Sequence, residues 1–296
     1  MEQNTTGNAT RTETLRGVAW MSIAVAGLAG IVIAVRALKP DITIPEILFL
    51  RGILAVFLLL LLTYLRNELF VSVNKNQIKF LILRVIGDVG CTIFFLTALI
   101  NMKLANATAV LQCVPLALAF SAAVFLKEDV GWRRWSAIIF GFFGVLIIIK
   151  PATAEFNYYS LVALIAVCFI VLRDLSTRRL HESIPSTFVS LITALSVTIT
   201  GLLFLPFQTW VKPSFEIIGS LSATAVLLIL GVLFNIISMR TGEVSFIAPF
   251  RYSIIIFAIL YGIIFYNEFP DKLMILGSIM LVSAGLYTLY REQTKI

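Results

Sequence analysis

Charge-free apolar stretches recur along nearly the whole chain. The long ones run 17–35, 104–126, 183–211, 217–239 and 273–290, and shorter ones run 52–65, 89–102, 135–149, 156–172 and 252–267. A helix needs roughly 20 apolar residues to cross the hydrocarbon core of a bilayer. No water in that core can satisfy an unpaired amide or carbonyl, so each stretch is predicted to be helical. Admitting isolated charges gives ten spans, at 17–38, 45–65, 78–100, 103–126, 132–150, 159–180, 185–207, 216–239, 243–266 and 270–290. The predicted fold class is an all-α integral membrane protein. Of 296 residues, 59% are hydrophobic and 13% are charged, whereas a soluble domain carries about a quarter charged residues. An ordinary water-soluble enzyme is excluded, and the short connections leave no room for a soluble catalytic or ligand-binding domain.

The polar start, 1–16, followed by an apolar run from Gly17 to Val35, reads as a tail and a retained first helix rather than a cleaved leader. Placing that tail in the cytoplasm puts Arg11, Arg16, Arg66, Lys75, Lys79, Lys127, Arg133, Arg134, Arg178, Arg179, Arg240, Arg291 and Lys295 inside. Only Lys39, Lys103, Lys150, Lys212 and Lys272 fall outside. Lys and Arg favour cytoplasmic loops, so both termini, including 291–296, are expected inside. This bias accounts for most of the formal +7 charge without nucleic-acid binding. Cys91, Cys113 and Cys168 lie within spans, without metal-ligand spacing, and read as packing residues.

Ile44-Pro45 recurs as Ile184-Pro185, and Phe125-x-x-Glu128 recurs as Phe265-x-x-Glu268; both recurrences share an offset of 140 in the numbering. The shared offset predicts a duplicated five-helix unit, 17–150 and 159–290. Because five is odd, the second copy would enter the membrane in the opposite sense. That gives a pseudo-two-fold axis in the membrane plane, as in many secondary transporters.

Charges inside spans are costly and tend to face protein or a water-filled cavity. Arg36 is expected to snorkel from the outer end of helix 1. Arg51, followed by Gly52, lies deeper in helix 2, with either helix stabilisation or a pathway role open. Arg84 and Asp88 share a face at four-residue spacing and are predicted to neutralise one another. Adjacent Arg173 and Asp174 should each seek another helix, as inner-end gate or topology groups. In Ala248-Pro249-Phe250-Arg251-Tyr252, Pro249 is expected to kink helix 9. Arg251 would then supply up to five donors near mid-membrane, and Tyr252 an aromatic face with a hydroxyl. Gln112 and Pro115 occupy the matching helix of the first half. Trp20, Phe94, Phe95, Asn101, Asn235 and Tyr287 are further candidates to line a path. Glu128 and Glu268 read as wet structural groups at repeat ends, with a substrate or proton role as the alternative, and Gly27, Gly30, Gly141 and Gly144 as points of close helix approach. The chain has no Walker-type loop and no HExxH sequence, so neither direct ATP hydrolysis nor zinc chemistry is expected and no cofactor is implied.

These strings resemble the drug/metabolite transporter superfamily, and within it the ten-helix bacterial EamA branch, over about 17–290. The resemblance rests on Arg51-Gly52, on Leu126 to Trp135 (LKEDVGWRRW) leading into Gly141 to Val145, and on Leu172 to Arg179 (LRDLSTRR). It continues in Ala248 to Tyr252 and in Asn267 to Asp271 (NEFPD). The last two strings look most like a subgroup containing S-adenosylmethionine and riboflavin carriers. The resemblance implies a multi-pass protein of the bacterial inner membrane, with one central cavity between two repeats. It also implies alternating access for a small polar metabolite, with a proton or a counter-substrate as coupling partner. Within that reading Arg251, Tyr252, Gln112, Trp20, Phe94, Asn101 and Tyr287 are expected to contact substrate. Arg51, Arg84, Asp88, Arg173, Asp174, Pro115, Pro249, Glu128 and Glu268 are expected to gate or stabilise. A channel or scaffold, and a membrane-embedded enzyme, are the competing readings; lone His181, on a loop, offers little to the last.

Overall fold

The structure is a computed structural model that describes residues 11–38, 42–69, 71, 73–125, 132–151, 156–181, 183–207, 209–210, 213–241 and 248–293. Its described residues form helices α1 (Arg11–Ala37), α2 (Ile44–Leu65), α3 (Lys75–Asn101), α4 (Leu104–Leu111), α5 (Val114–Phe125) and α6 (Trp132–Ile149). There follow α7 (Tyr159–Arg178), α8 (Ser186–Phe204), α9 (Phe215–Thr241), a 3-10 segment (Ala248–Ser253), α10 (Ile254–Tyr266) and α11 (Lys272–Gln293). A short 3-10 turn, Leu205–Phe207, extends α8. No strand occurs among the described residues. Six spans are long and apolar enough to cross a membrane, and four shorter apolar helices accompany them among the described residues.

Many small residues sit where helices meet, while a large share of the bulky apolar ones face outward. Ala98, Ala107, Ala109, Ala163, Ala166, Ala225 and Ala258 are fully buried, whereas Phe57, Phe142 and Ile264 are 59%, 57% and 68% exposed. Lipid gives helices no hydrophobic reason to associate, so contact depends on close backbone approach through small side chains. Gly144 and Gly277 show this most directly. A Cβ on Gly144 would stand 2.8 Å from the Gly277 carbonyl oxygen, and one on Gly277 2.5 Å from that of Gly144, so α6 and α11 touch backbone to backbone. Gly141 also faces a tight contact, against Leu116 and Ala284, whereas Gly27 and Gly30 have no described residue within 4 Å, contrary to the expectation of close approach there.

The helices recur at the sequence period. Shifting α3 (75–101) by 140 gives the bounds of α9 (215–241), and α6 starts at 132 where α11 starts at 272. The dominant pairings are α3 with α7, α1 with α9, α2 with α8 and α6 with α11. Exchanging the two halves converts the first pairing into the second and returns the last two to themselves.

The predicted fourth span, 103–126, is interrupted. The amides of Gln112 and Cys113 donate to Ala109 and Val110, three residues back, and the helix resumes at Val114. Pro115 supplies the reason, since it has no N–H to donate to the turn before it. The ninth span changes from 3-10 to α at Ser253 and Ile254, the positions equivalent to Cys113 and Val114 at the repeat offset, and Pro249 lies in its 3-10 segment. Because α4 packs on α10, the two interrupted helices meet.

Candidate functional site

Polar groups gather at two places. The first is built on the seam between α3 and α7. A Cβ on Gly87 would lie 2.7 Å from the Arg173 backbone nitrogen, and one on Gly90 would strike the Phe169 ring. The absence of side chains at these two positions lets α7 lie directly on α3. Arg173 Nη1 then reaches Asp88 Oδ1 at 3.1 Å, and Arg173 Nε reaches Asp174 Oδ1 at 2.8 Å. Arg84 Nη1 donates to Thr177 Oγ1, and Thr177 Oγ1 donates to the Arg173 carbonyl at 2.7 Å.

This arrangement corrects two expectations. Asp88 pairs across helices with Arg173 rather than along its own helix with Arg84. Arg173 also pairs with its chain neighbour Asp174. One long guanidinium has enough donors to serve two carboxylates at once. The sequence signal for this site is Gly87-x-x-Gly90 beside Asp88, a close-approach stripe that the charge spacing alone does not single out.

The second cluster joins α1, α4 and the connection after α10. Asn267 ends α10 in the left-handed region at φ 53°. The Asn267 amide donates to Ile263 at 3.2 Å and the Glu268 amide to Gly262 at 2.9 Å, which folds Glu268 back over the helix end. Glu268 meets Arg36 in a two-point ion pair of 2.5 and 2.9 Å, and its Oε2 also accepts the Leu104 amide, at the first residue of α4, at 2.9 Å. Tyr266 completes the cluster: the Arg36 guanidinium lies 4.7 Å from its ring centroid, and its hydroxyl donates to the Ile33 carbonyl at 2.8 Å. The two charged side chains are 17% and 16% exposed. Glu268 is therefore a covered cross-link rather than a wet helix end, and Arg36 is paired rather than snorkelling. Nearby in sequence, Lys150 after α6 meets Asp271 before α11 at 3.0 Å.

Two parallel aromatic stacks join the equivalent helix pairs α1–α9 and α3–α7. Trp20 of α1 lies on Phe234 of α9 with ring centroids 5.1 Å apart, and Phe94 of α3 on Phe169 of α7 at 5.4 Å. Phe94 and Phe234 are themselves equivalent positions at the repeat offset, although their partners are not, since Trp20 corresponds to Ser160 and Phe169 to Ala29.

The remaining candidates are scattered. Arg251 is exposed in the 3-10 segment, whereas adjacent Tyr252 is buried against α11, where a side chain at Gly285 would collide with its hydroxyl. That hydroxyl has no hydrogen-bond partner among the described residues, and Tyr252 borders an open apolar groove of about 470 Å³ between α10 and α11 with Ser253, Ile259, Ser278 and Val282. Gln112 is half-buried at the break between α4 and α5. The side-chain amide of Asn101 donates to the Thr97 carbonyl at 2.7 Å, while the main-chain carbonyl of Asn101 accepts from the Asn157 side-chain amide at 3.1 Å. Phe95 is half-buried, and Tyr287 is 40% exposed on α11. Arg51 is half-buried on α2. Glu128 lies outside the described residues, as does the side chain of Asn235.

Comparison with known proteins decides the family. The EamA-like transporter family matches residues 15–150 and again 157–290. The chain belongs to that family. It is 29% identical over 198 residues to an S-adenosylmethionine uptake transporter of Rickettsia prowazekii; the match covers 64% of this chain and 64% of the relative. It is 26% identical over 246 residues to a pseudopaline exporter of Pseudomonas aeruginosa, covering 81% and 84% of the two chains. A riboflavin transporter of Vibrio cholerae is likewise 26% identical over 246 residues, covering 81% and 82%. A solved crystal structure superposes with a TM-score of 0.63 at 14% identity, over 95% of this chain and 98% of the other, and so shares its fold. This EamA-family chain is thus a multi-pass protein of the bacterial inner membrane, and the family and its relatives are named as transporters rather than enzymes.

Proposed function

We propose that this chain is a secondary carrier that moves a small polar organic metabolite by alternating access. The observation that carries the reading is the placement of the two polar clusters. Arg36 closes the end of α1, and Arg173 stands near the corresponding end of α7, the equivalent helix of the second half. Two five-helix repeats, 17–150 and 159–290, with both termini cytoplasmic, enter the membrane in opposite senses, so equivalent helix ends lie on opposite faces. The Arg36–Glu268 cluster is then the outer gate, and the Arg173–Asp88–Asp174 cluster with Arg84 the inner one. The path between them runs past the Trp20 and Phe94 stacks, the paired breaks with Gln112, Pro115 and Pro249, and Arg251, Tyr252, Asn101 and Tyr287. The relatives suggest S-adenosylmethionine, riboflavin or amino-acid-like molecules as cargo, with a proton or counter-substrate as coupling partner.

Counterflow into proteoliposomes tests this. Vesicles are loaded separately with unlabelled S-adenosylmethionine, riboflavin or mixed amino acids, with the matching tracer outside. Saturable accumulation with one cargo is expected, and Arg251→Ala should abolish it while insertion is preserved. Non-saturable flux without counterflow would make the protein a channel, and unchanged uptake by Arg251→Ala would remove that residue from the site.

A further inference from the structure

The two halves differ in how their last two helices meet. In the first half α5 packs on α6, and Trp135 of α6 meets Phe120 of α5 edge to face with ring centroids 5.8 Å apart. At the repeat offset that pair becomes Ile275 and Leu260, both exposed, and the bulky Phe142 and Phe143 become Val282 and Ser283. Without the aromatic bridge, α10 and α11 leave the groove of about 470 Å³ between them. Its walls include Ile256 and Ile259 of α10, and Ile275, Ile279, Val282 and Ser283 of α11. These α11 residues lie off the Gly277, Leu281 and Ala284 stripe that packs on α6, and Ile256, Ile275 and Ile279 are exposed, so the groove opens away from the bundle.

The groove offers an occupant little but hydrocarbon. The Ser253 hydroxyl donates to the Phe250 carbonyl at 2.6 Å, and that of Ser278 to the Met274 sulfur at 3.8 Å. The Tyr252 hydroxyl is covered, where a Cβ on Gly285 would strike it. A polar metabolite would leave its own donors and acceptors unmatched there. Nor does a helix of another chain fit. From Ile275 to Ser283 the groove follows about 12 Å of α11 and averages about 40 Å² in section, against roughly 80–110 Å² for a helix with its side chains.

Both walls belong to apolar helices, Phe250–Tyr266 and Lys272–Thr288, of a multi-pass membrane protein, so the medium outside them is lipid. An unfilled groove would forfeit dispersion contacts along its whole lining. We propose that it is a lipid site that takes an acyl chain of a bilayer phospholipid, and that the first half has no counterpart. The acyl chain packs between α11, fixed to α6 by the glycine seam, and α10, the helix that leads into Glu268 of the outer cluster.

The test reconstitutes the full chain in phospholipid vesicles that carry a phospholipid with a diazirine partway along one acyl chain. After irradiation, mass spectrometry of the peptides maps the label. Ile279 should be labelled severalfold more than Ile139, its equivalent at the repeat offset, which is similarly exposed at 53% against 59%. Val282→Phe with Ser283→Phe, which restores the first half's residues, should fill the groove and bring Ile279 down to the level of Ile139. Ser283→Leu, a smaller change, should lower it part of the way. Equal labelling of Ile279 and Ile139 in the wild type would overturn the site. So would labelling of Ile279 that both folded variants leave unchanged, or a groove shielded from lipid and cross-linked between two copies of the chain.

Discussion

Asp271 illustrates how one side chain serves two elements. Its Oδ1 accepts the Met274 amide at 2.8 Å, capping the start of α11, and its Oδ2 meets Lys150 at 3.0 Å. An N-cap oxygen is worth about 1 kcal/mol, whereas an ion pair with an exposed partner contributes between roughly 0 and 1. Asp271→Ala should therefore lower stability by about 1 kcal/mol, and Asp271→Asn, which keeps a capping oxygen, should recover most of that. Thermal unfolding of the purified variants decides it; an Asn variant as unstable as the Ala variant would put the weight on the ion pair instead. At this scale the sequence located the charged residues in the membrane but mispaired them. Spacing along one helix made Arg84 the neighbour of Asp88, and only the contact at Gly87 and Gly90 reveals that Arg173 lies closer.

At the scale of elements, the helices are held by approach rather than by bulk. The α6–α11 seam is unyielding, because Gly144 and Gly277 each face the other's backbone, which cannot rotate away as a side chain would. Gly144→Val or Gly277→Val should separate the helices and cost about 1–3 kcal/mol, as overpacking generally does. Gly27→Ala on α1, where no described residue lies within 4 Å, should cost nothing measurable. Comparing their thermal midpoints is sufficient, and equal midpoints would mean the seam is soft. Both Gly27-x-x-Gly30 and Gly141-x-x-Gly144 look alike in the sequence. Which of them meets a neighbour depends on how α1 and α6 are rotated, and no local pattern encodes that.

For the whole molecule, the proposed outer gate makes a directional prediction. Arg36→Gln or Glu268→Gln removes the two-point pair, and Glu268→Gln also leaves the Leu104 amide with a weaker, neutral acceptor. Losing charge-assisted bonds of this kind should shift the balance between closed and open states about tenfold. Cys113, buried at the break after α4, reports on it: with Cys91 and Cys168 replaced by Ala, an impermeant maleimide should label Cys113 faster in either variant than in the parent. The converse change, Arg173→Gln, should open the other end and slow labelling from the first side. Labelling that ignores all three substitutions would sink the gate assignment.

Apolar length and repeated punctuation are properties of the linear chain, and hydrocarbon forbids unpaired backbone groups. A helical, membrane-embedded chain with an internal repeat could therefore be read from the residues before any contact was known. So could the interruption of the fourth and ninth spans, since Pro115 and Pro249 lack a donor wherever they are placed. Packing between helices was needed to make Glu268 cross-link α1, α4 and the end of α10, to turn Tyr252 into α11, and to leave Arg51 without a partner among the described residues. Those outcomes depend on which glycine seams close, because a seam fixes a helix's rotation and depth, and with them which charges come within reach of one another.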